Sequence, residues 1–181
     1  MSKAVLISIR PKWGEKLING DKTIEVRKTR PKMDTPFKCY IYCTLQGCNE
    51  FFRVDLGGDV AKWNRGKWAD RKGKVIGEFT CDQIIDAWWD YVPDAITREV
   101  AGGNLEALDG TGMTDEELFS YVGDSMRGHC YGWHISDLRI YDETRELSEF
   151  TGLRNTRFGA APYDIKRAPQ SWCYVEVACD E

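Results

Sequence analysis

The chain has 181 residues, of which 42% are hydrophobic, 12% aromatic and 30% charged. Such a chain is ordinary for one globular domain, and its length buries a core without disulfides or a metal. No run of about 18 apolar residues is present, which excludes a membrane-spanning helix, and Met1 to Arg10 lacks the apolar length of an export signal. The expectation is a soluble, cytoplasmic protein with no membrane partner. Net charge is −4, but residues 1–74 carry +9 and residues 75–181 carry −13. That asymmetry predicts an electropositive face built early in the chain and an acidic one built late, or two solvated faces of unequal charge.

Ala4 to Ile9 is β-rich and reads as a buried strand. Pro11 suits the first turn of a helix, on which Trp13, Leu17 and Ile18 share a face. Asn19-Gly20 stops that helix, with Gly20 free to adopt the left-handed conformation. Thr23 to Arg27 alternates, so it predicts a half-buried strand with Ile24 and Val26 on one side and Thr23, Glu25 and Arg27 on the other. Phe37 to Thr44 is another strand, with Cys39, Ile41 and Cys43 opposite Tyr40 and Tyr42.

Further along, Lys74 to Cys81 predicts a strand. Residues 83–128 read as an acidic, Gly-containing, partly helical insertion, peripheral to the sheet and a candidate surface for a protein partner. Within it, Thr114 and Glu117 form a capping box. Residues 130–136 and 138–141 read as two strands joined by a tight turn, and Trp172 to Val177 as the last strand. The whole predicts one domain over residues 1–181: α+β, a small, mostly antiparallel β-barrel with flanking helices.

The densest polar constellation is Gly20-Asp21-Lys22-Thr23-Ile24-Glu25-Val26-Arg27. Glu25 and Arg27 lie on one strand face about 7 Å apart, and Lys22 sits just before the strand. Spacing alone allows a surface salt bridge of little worth. The pattern Gly20-x-Lys22-x-x-Glu25-x-Arg27 after a strand and a helix resembles the motif of the ASCH domain family, in the PUA-like β-barrel superfamily. The resemblance covers residues 4–43 and extends to Lys74–Cys81, Cys130–Tyr141 and Trp172–Val177. It implies a barrel flanked by its first helix, with a cleft that binds RNA or a nucleotide derivative and is lined by Lys22, Glu25 and Arg27. Lys and Arg can hold a phosphate, and a carboxylate can accept from a base amine.

One branch of that family is an amidohydrolase acting on acetylated cytidine. Its Lys is matched by Lys22, but its nucleophilic Thr stands where this chain has Glu25. Thr23, beside Lys22, is the substitute hydroxyl. The third member of the hydrolase site, a Glu, precedes a Met-Thr-x-x-Glu-Leu helix start, repeated here from Met113 to Leu118. Its slot falls near Thr111, with Glu106 and Asp109 upstream. Lys22, Thr23 and Glu25 are therefore the catalytic set only if the protein is an enzyme, a hydrolase of modified nucleosides or a ribonuclease.

Supporting contacts are expected from Arg10 at the first helix start, from Ser171 at the last strand, and from Trp63, Arg65, Lys67 and Trp68. The last four interleave aromatics with cations, either to stack unpaired bases or to anchor a loop, and that loop is expected to be exposed. Trp88-Trp89 reads as a seam between the insertion and the barrel. His134 reads as a packed strand residue. The seven cysteines read as reduced thiols. Cys39, Cys43, Cys48, Cys130 and His129 lack a C-x-x-C pair, so no metal and no cofactor is expected. With Lys22, Glu25 and Arg27 on a solvent-accessible floor, Lys22→Ala is expected to weaken ligand binding and spare the melting temperature, and Glu25→Ala to cost both.

Overall fold

The structure, a computed structural model, describes residues 2–45, 70–91, 100–123 and 126–177. The Trp63, Arg65, Lys67 and Trp68 loop lies outside the described residues. Strand β1 (Lys3–Ile9) leads into helix α1 (Pro11–Ile18) and then the short strand β2 (Ile24–Arg27). Strand β3 (Phe37–Cys43) follows, then β4 (Val75–Tyr91) and β5 (Val100–Gly103). A 3₁₀ turn (Leu105–Leu108) and helix α2 (Asp115–Val122) precede β6 (Arg127–Arg145), β7 (Thr151–Thr156), β8 (Gly159–Asp164) and β9 (Trp172–Glu176).

These strands form one sheet in the order β2-β6-β4-β3-β1-β9-β7-β8, with β5 paired to β4. β1 and β3 run parallel, and the remaining pairs are antiparallel. The fold is α+β and mostly antiparallel, as expected. The ladder is open, with β2 at one end and β8 at the other, so it does not confirm the expected closed barrel.

Alternation decides the core. Val5, Ile7 and Ile9 pack with Cys39, Ile41 and Cys43 on one side, joined by Phe79, Cys81 and Trp133. Ala4 and Leu6 pack with Tyr40 and Tyr42 on the other, joined by Phe150 and Val175. Strands buried on both faces hold the middle of the sheet, and the parity read from Phe37 to Cys43 is the parity found. On α1 the buried residues are Pro11, Gly14 and Leu17. Ile18, expected on that face, is exposed because it ends the last turn before the chain leaves at Gly20, whose φ is +80°.

Three expectations are corrected. Residues 83–128 are not peripheral to the sheet: β4 continues through Asp86, Trp88 and Trp89, and pairs with β6 out to Asp90↔Arg127. The rest of the segment folds back as an arm, placing Leu108 and Leu118 in a third cluster with Ile24, Val26, Ala87, Trp89 and Cys130. Its Gly and acidic content reflects turns and an exposed helix face, not detachment. Second, residues 127–145 form one strand. Asp137 takes φ +49° and β6 spends an extra residue between Ser136 and Arg139, a bulge where a turn was expected. Third, β7 and β8 are additional strands. Gly, Asn, Ala and Pro162 weaken their β signal, and Pro162 is tolerated because β8 is an edge strand. Among the described residues, no helix is long and apolar enough to cross a membrane.

Candidate functional site

Among the described residues β2 pairs through the ladder only with β6, its register running from Ile24↔His134 to Arg27↔Tyr131. Its alternation therefore separates two environments. Ile24 and Val26 enter the arm cluster. Glu25 and Arg27 turn the other way, toward Ser8 of β1 and Trp13 of α1, with which they line a cavity of about 310 Å³.

The three motif charges converge, but they are not exposed. Lys22, Glu25 and Arg27 are 3%, 5% and 8% accessible, so the strand is fully rather than half buried. The arm and α1 cover what the alternation alone would leave to solvent. Glu25 sits between the two cations. Its Oε1 is 2.9 Å from Arg27 Nη2 and its Oε2 is 3.3 Å from Lys22 Nζ. Lys22 Nζ also donates to the carbonyls of Ile24 (2.7 Å) and Thr111 (2.8 Å). Arg27 Nη2 donates to the Ser8 carbonyl at 2.7 Å.

Burial pushes the Lys22 ammonium below its ordinary pKa, against the opposing pull of Glu25. Two buried atoms here lack a hydrogen-bond partner among the described residues: Glu25 Oε2, whose approach to Lys22 is a charge contact rather than an aligned bond, and Arg27 Nε. Buried polar groups are nearly always satisfied. Both atoms are themselves buried, on two side chains that line the cavity.

Trp13 closes one wall, with the amines of Lys12, Lys16 and Lys22 lying 4.8, 5.3 and 5.5 Å from its ring centroid. The arm closes another. Gly110 C=O accepts from the Thr23 and Ile24 N–H groups, the Lys16 amine bonds Gly112 C=O, and the Lys12 amine pairs with Glu117 on α2. A shallower cavity of about 590 Å³ adjoins the first, sharing Arg10, Trp13, Met113 and Tyr121 and adding Lys12, Glu117 and Ser120.

Other expected positions divide. Arg10 and Ser171 line the inner cavity. Arg10 is exposed at its mouth, and the Ser171 carbonyl accepts from Ser8 N–H at 2.9 Å. The α1 start offers few amides to an anion, because Pro11 has no N–H and those of Trp13 and Gly14 bond Arg10 C=O. Thr23 does not line the cavity: it is exposed beside Gly110, so its hydroxyl is off the floor. Thr111 does reach the site, but supplies a carbonyl where a carboxylate slot was sought. His134 and His129 pair with Asp82 and Asp86 on the exposed hairpin. Trp89 is core, and Trp88 is about half exposed. Trp13, Met113 and Tyr121 were not read as site residues. Lys12, Lys16 and Lys22 around Trp13 were a usable signal for the first, whereas Tyr121 is placed only by the arm.

A sheet with a helix laid beside a buried charged cleft defines the class: the chain has an ASCH-like fold. It is similar to crystal structures of ZmASCH, an ASCH protein from Zymomonas mobilis. One variant of that protein is 14% identical over 97% of this chain and 91% of its own. Another variant is 13% identical over 96% and 88%, and a third structure of the same protein 13% over 96% and 87%. All three give a TM-score of 0.51. At these identities the likeness is one of fold. No family model and no curated protein sequence matches the chain.

Proposed function

We propose that the cleft between α1, β2 and α2 binds one nucleotide, plain or modified, of an RNA or of a free nucleotide-like ligand. The observation that carries this reading is the buried Lys22–Glu25–Arg27 cluster, which leaves two polar atoms without a hydrogen bond and lines a cavity of about 310 Å³, a volume at the small end of ligand sites. Lys22 donates to two carbonyls and stands in charge contact with Glu25, so it acts by holding Glu25 and the Thr111 loop in place. Glu25 is then the acceptor for an exocyclic amine of a base, and the Arg27 guanidinium a donor to a base carbonyl, once the ligand shifts the side chains that bury them. Trp13 offers a stacking wall, and Arg10 and Lys12 at the mouth suit a phosphate.

The test is calorimetric titration with CMP, AMP and UMP, N-acetylated cytidine and short single-stranded RNA. Amine-bearing bases should bind more tightly than UMP, and Glu25→Gln should erase that preference. Equal affinity for all bases in the parent protein would reject the assignment of Glu25.

One observation favours a hydrolase instead. A buried amine whose pKa is pushed below its ordinary value gives up its proton more readily than a free lysine. That reading requires release of acetate from N-acetylated cytidine, or cleavage of an RNA chain, lost in Lys22→Met. Binding without turnover leaves the first reading.

A further inference from the structure

Immediately after Arg27, the loop 28–34 turns along the side of the molecule and lines a second groove of about 580 Å³. Its walls are Lys28, Thr29, Arg30, Pro31, Lys32, Met33 and Asp34, closed by Tyr131 of β6. Lys28, Arg30 and Lys32 are exposed and make no ion pair among the described residues. A solvated loop would carry its charges on a free backbone. This loop is pinned instead. Thr29 Oγ1 accepts from Trp172 Nε1 at 3.1 Å, and the Lys32 N–H donates to the Tyr174 hydroxyl at 2.7 Å. Pro31 is buried, Met33 packs against the main core, and the Arg30 guanidinium lies 5.7 Å from the Tyr131 ring centroid. The backbone that carries three cations is thus held in place, with Asp34 ending the run in sequence.

The groove also approaches the cleft. Lys28 Nζ lies 5.5 Å from the ring centroid of Tyr121, and Tyr121 lines both cavities of the candidate site. A chain leaving the cleft past Tyr121 would pass Lys28, which shares its loop with Arg30, beside Tyr131, and with Lys32.

We infer that the Lys28–Arg30–Lys32 groove is a track for the phosphodiester backbone of single-stranded RNA whose neighbouring nucleotide occupies the cleft. This deepens the proposed function: the cleft reads one base, and the groove makes the ligand a polymer. Cations set along a pinned backbone beside aromatic rings are what such a strand requires. No contact in the groove selects a base, so it contributes affinity and salt dependence rather than sequence preference.

The experiment compares an eight-nucleotide single-stranded oligocytidylate with CMP, by fluorescence anisotropy and calorimetry across a salt series. The parent protein is set against the triple variant Lys28→Gln, Arg30→Gln, Lys32→Gln. The parent should bind the octamer more tightly than CMP. The triple variant should lose on the order of tenfold for the octamer at low salt and flatten its log–log salt slope by about 2, from about 0.7 per phosphate contact. Its CMP affinity should not change. If the triple variant does not fold, the exposed single change Lys32→Gln should still flatten the slope by about 0.7. An octamer bound no more tightly than CMP, or a slope untouched by the substitutions, overturns the track. An acidic peptide of equal charge binding as well as the octamer also overturns it, leaving a general anion patch. Octamer binding that depends on the three cations, with CMP not binding at all, keeps the track and rejects the nucleotide cleft.

Discussion

Glu25 is the one carboxylate between two buried cations, and its removal leaves both uncompensated. Glu25→Ala is expected to cost about 3–5 kcal/mol, the range for breaking a buried ion pair, read as a lowered urea midpoint. Lys22 departs from the sequence expectation, which spared the melting temperature on Lys22→Ala. Its amine ties Ile24 of β2 to Thr111 of the arm, so Lys22→Ala should lower the melting temperature as well as weaken binding. Its pH dependence has a definite sign. Burial holds the folded pKa of Lys22 below the unfolded value. Between the two values the unfolded chain binds the extra proton, so stability rises with pH. Measured from pH 7 to 10.5, the stability advantage of the parent over Lys22→Met should therefore grow. An advantage that shrinks would mean that Glu25, not desolvation, dominates.

At the scale of elements, the arm matters because it completes the cleft. Gly110 sits at φ +97°, and a Cβ there would lie 2.3 Å from Thr23 Oγ1. Gly110→Ala should thus strain the backbone and push the arm off β2, lowering both the melting temperature and nucleotide affinity. Gly123 is the control. It has φ +98° but open space around the missing Cβ, so Gly123→Ala should cost only the conformational term of about 1–2 kcal/mol and spare binding. Thr114 and Glu117 form the capping box read in the sequence. Thr114→Ala should cost about 1 kcal/mol, a drop of about 2–4 °C for a chain of this size. If Gly110→Ala proved no worse than Gly123→Ala by differential scanning fluorimetry, the arm would not be docked as described.

For the whole molecule, the two-sided burial of the sheet governs its cysteines. Cys39, Cys81 and Cys130 are fully buried. Desolvation pushes the Cys39 thiol well up, that of Cys81 to about 12 and that of Cys130 to about 11. As thiolates are the reactive form, iodoacetamide at pH 8 should leave these three unmodified in the native protein, as read by peptide mass spectrometry, and label them once urea unfolds it. A fast native adduct on Cys39 would contradict the packing. Thiols with raised folded pKa values stabilise fully below the unfolded value and lose that contribution as pH climbs through the folded ones. Cys81 and Cys130 should therefore subtract stability between about pH 9 and pH 12, opposite in sign to Lys22.

The sequence determined what local rules decide. A β-rich run, Pro11 and Gly20 fixed β1, α1 and the turn into β2. Period-2 alternation assigned Cys39, Ile41 and Cys43 to one face and sent Glu25 and Arg27 together to the side opposite Ile24 and Val26. The capping box announced α2, and the resemblance of the Gly20 to Arg27 pattern to the ASCH motif, not its spacing, pointed to a cleft at Lys22, Glu25 and Arg27. What lay outside local rules was set by contacts across the chain. Strand parity says which side a residue takes, but not whether that side is covered. Lys22 is buried because Thr111, 89 residues away, closes over it, and Trp13 and Tyr121 become walls only when α1 and the arm meet. β4 runs past its expected end because β6 offers it partners out to Asp90, and the weak β7–β8 hairpin forms where β9 gives β7 an edge to extend. Burial and pairing are pairwise, long-range energies, and they turned an expected solvent-facing charged strip into a closed, partly unsatisfied site.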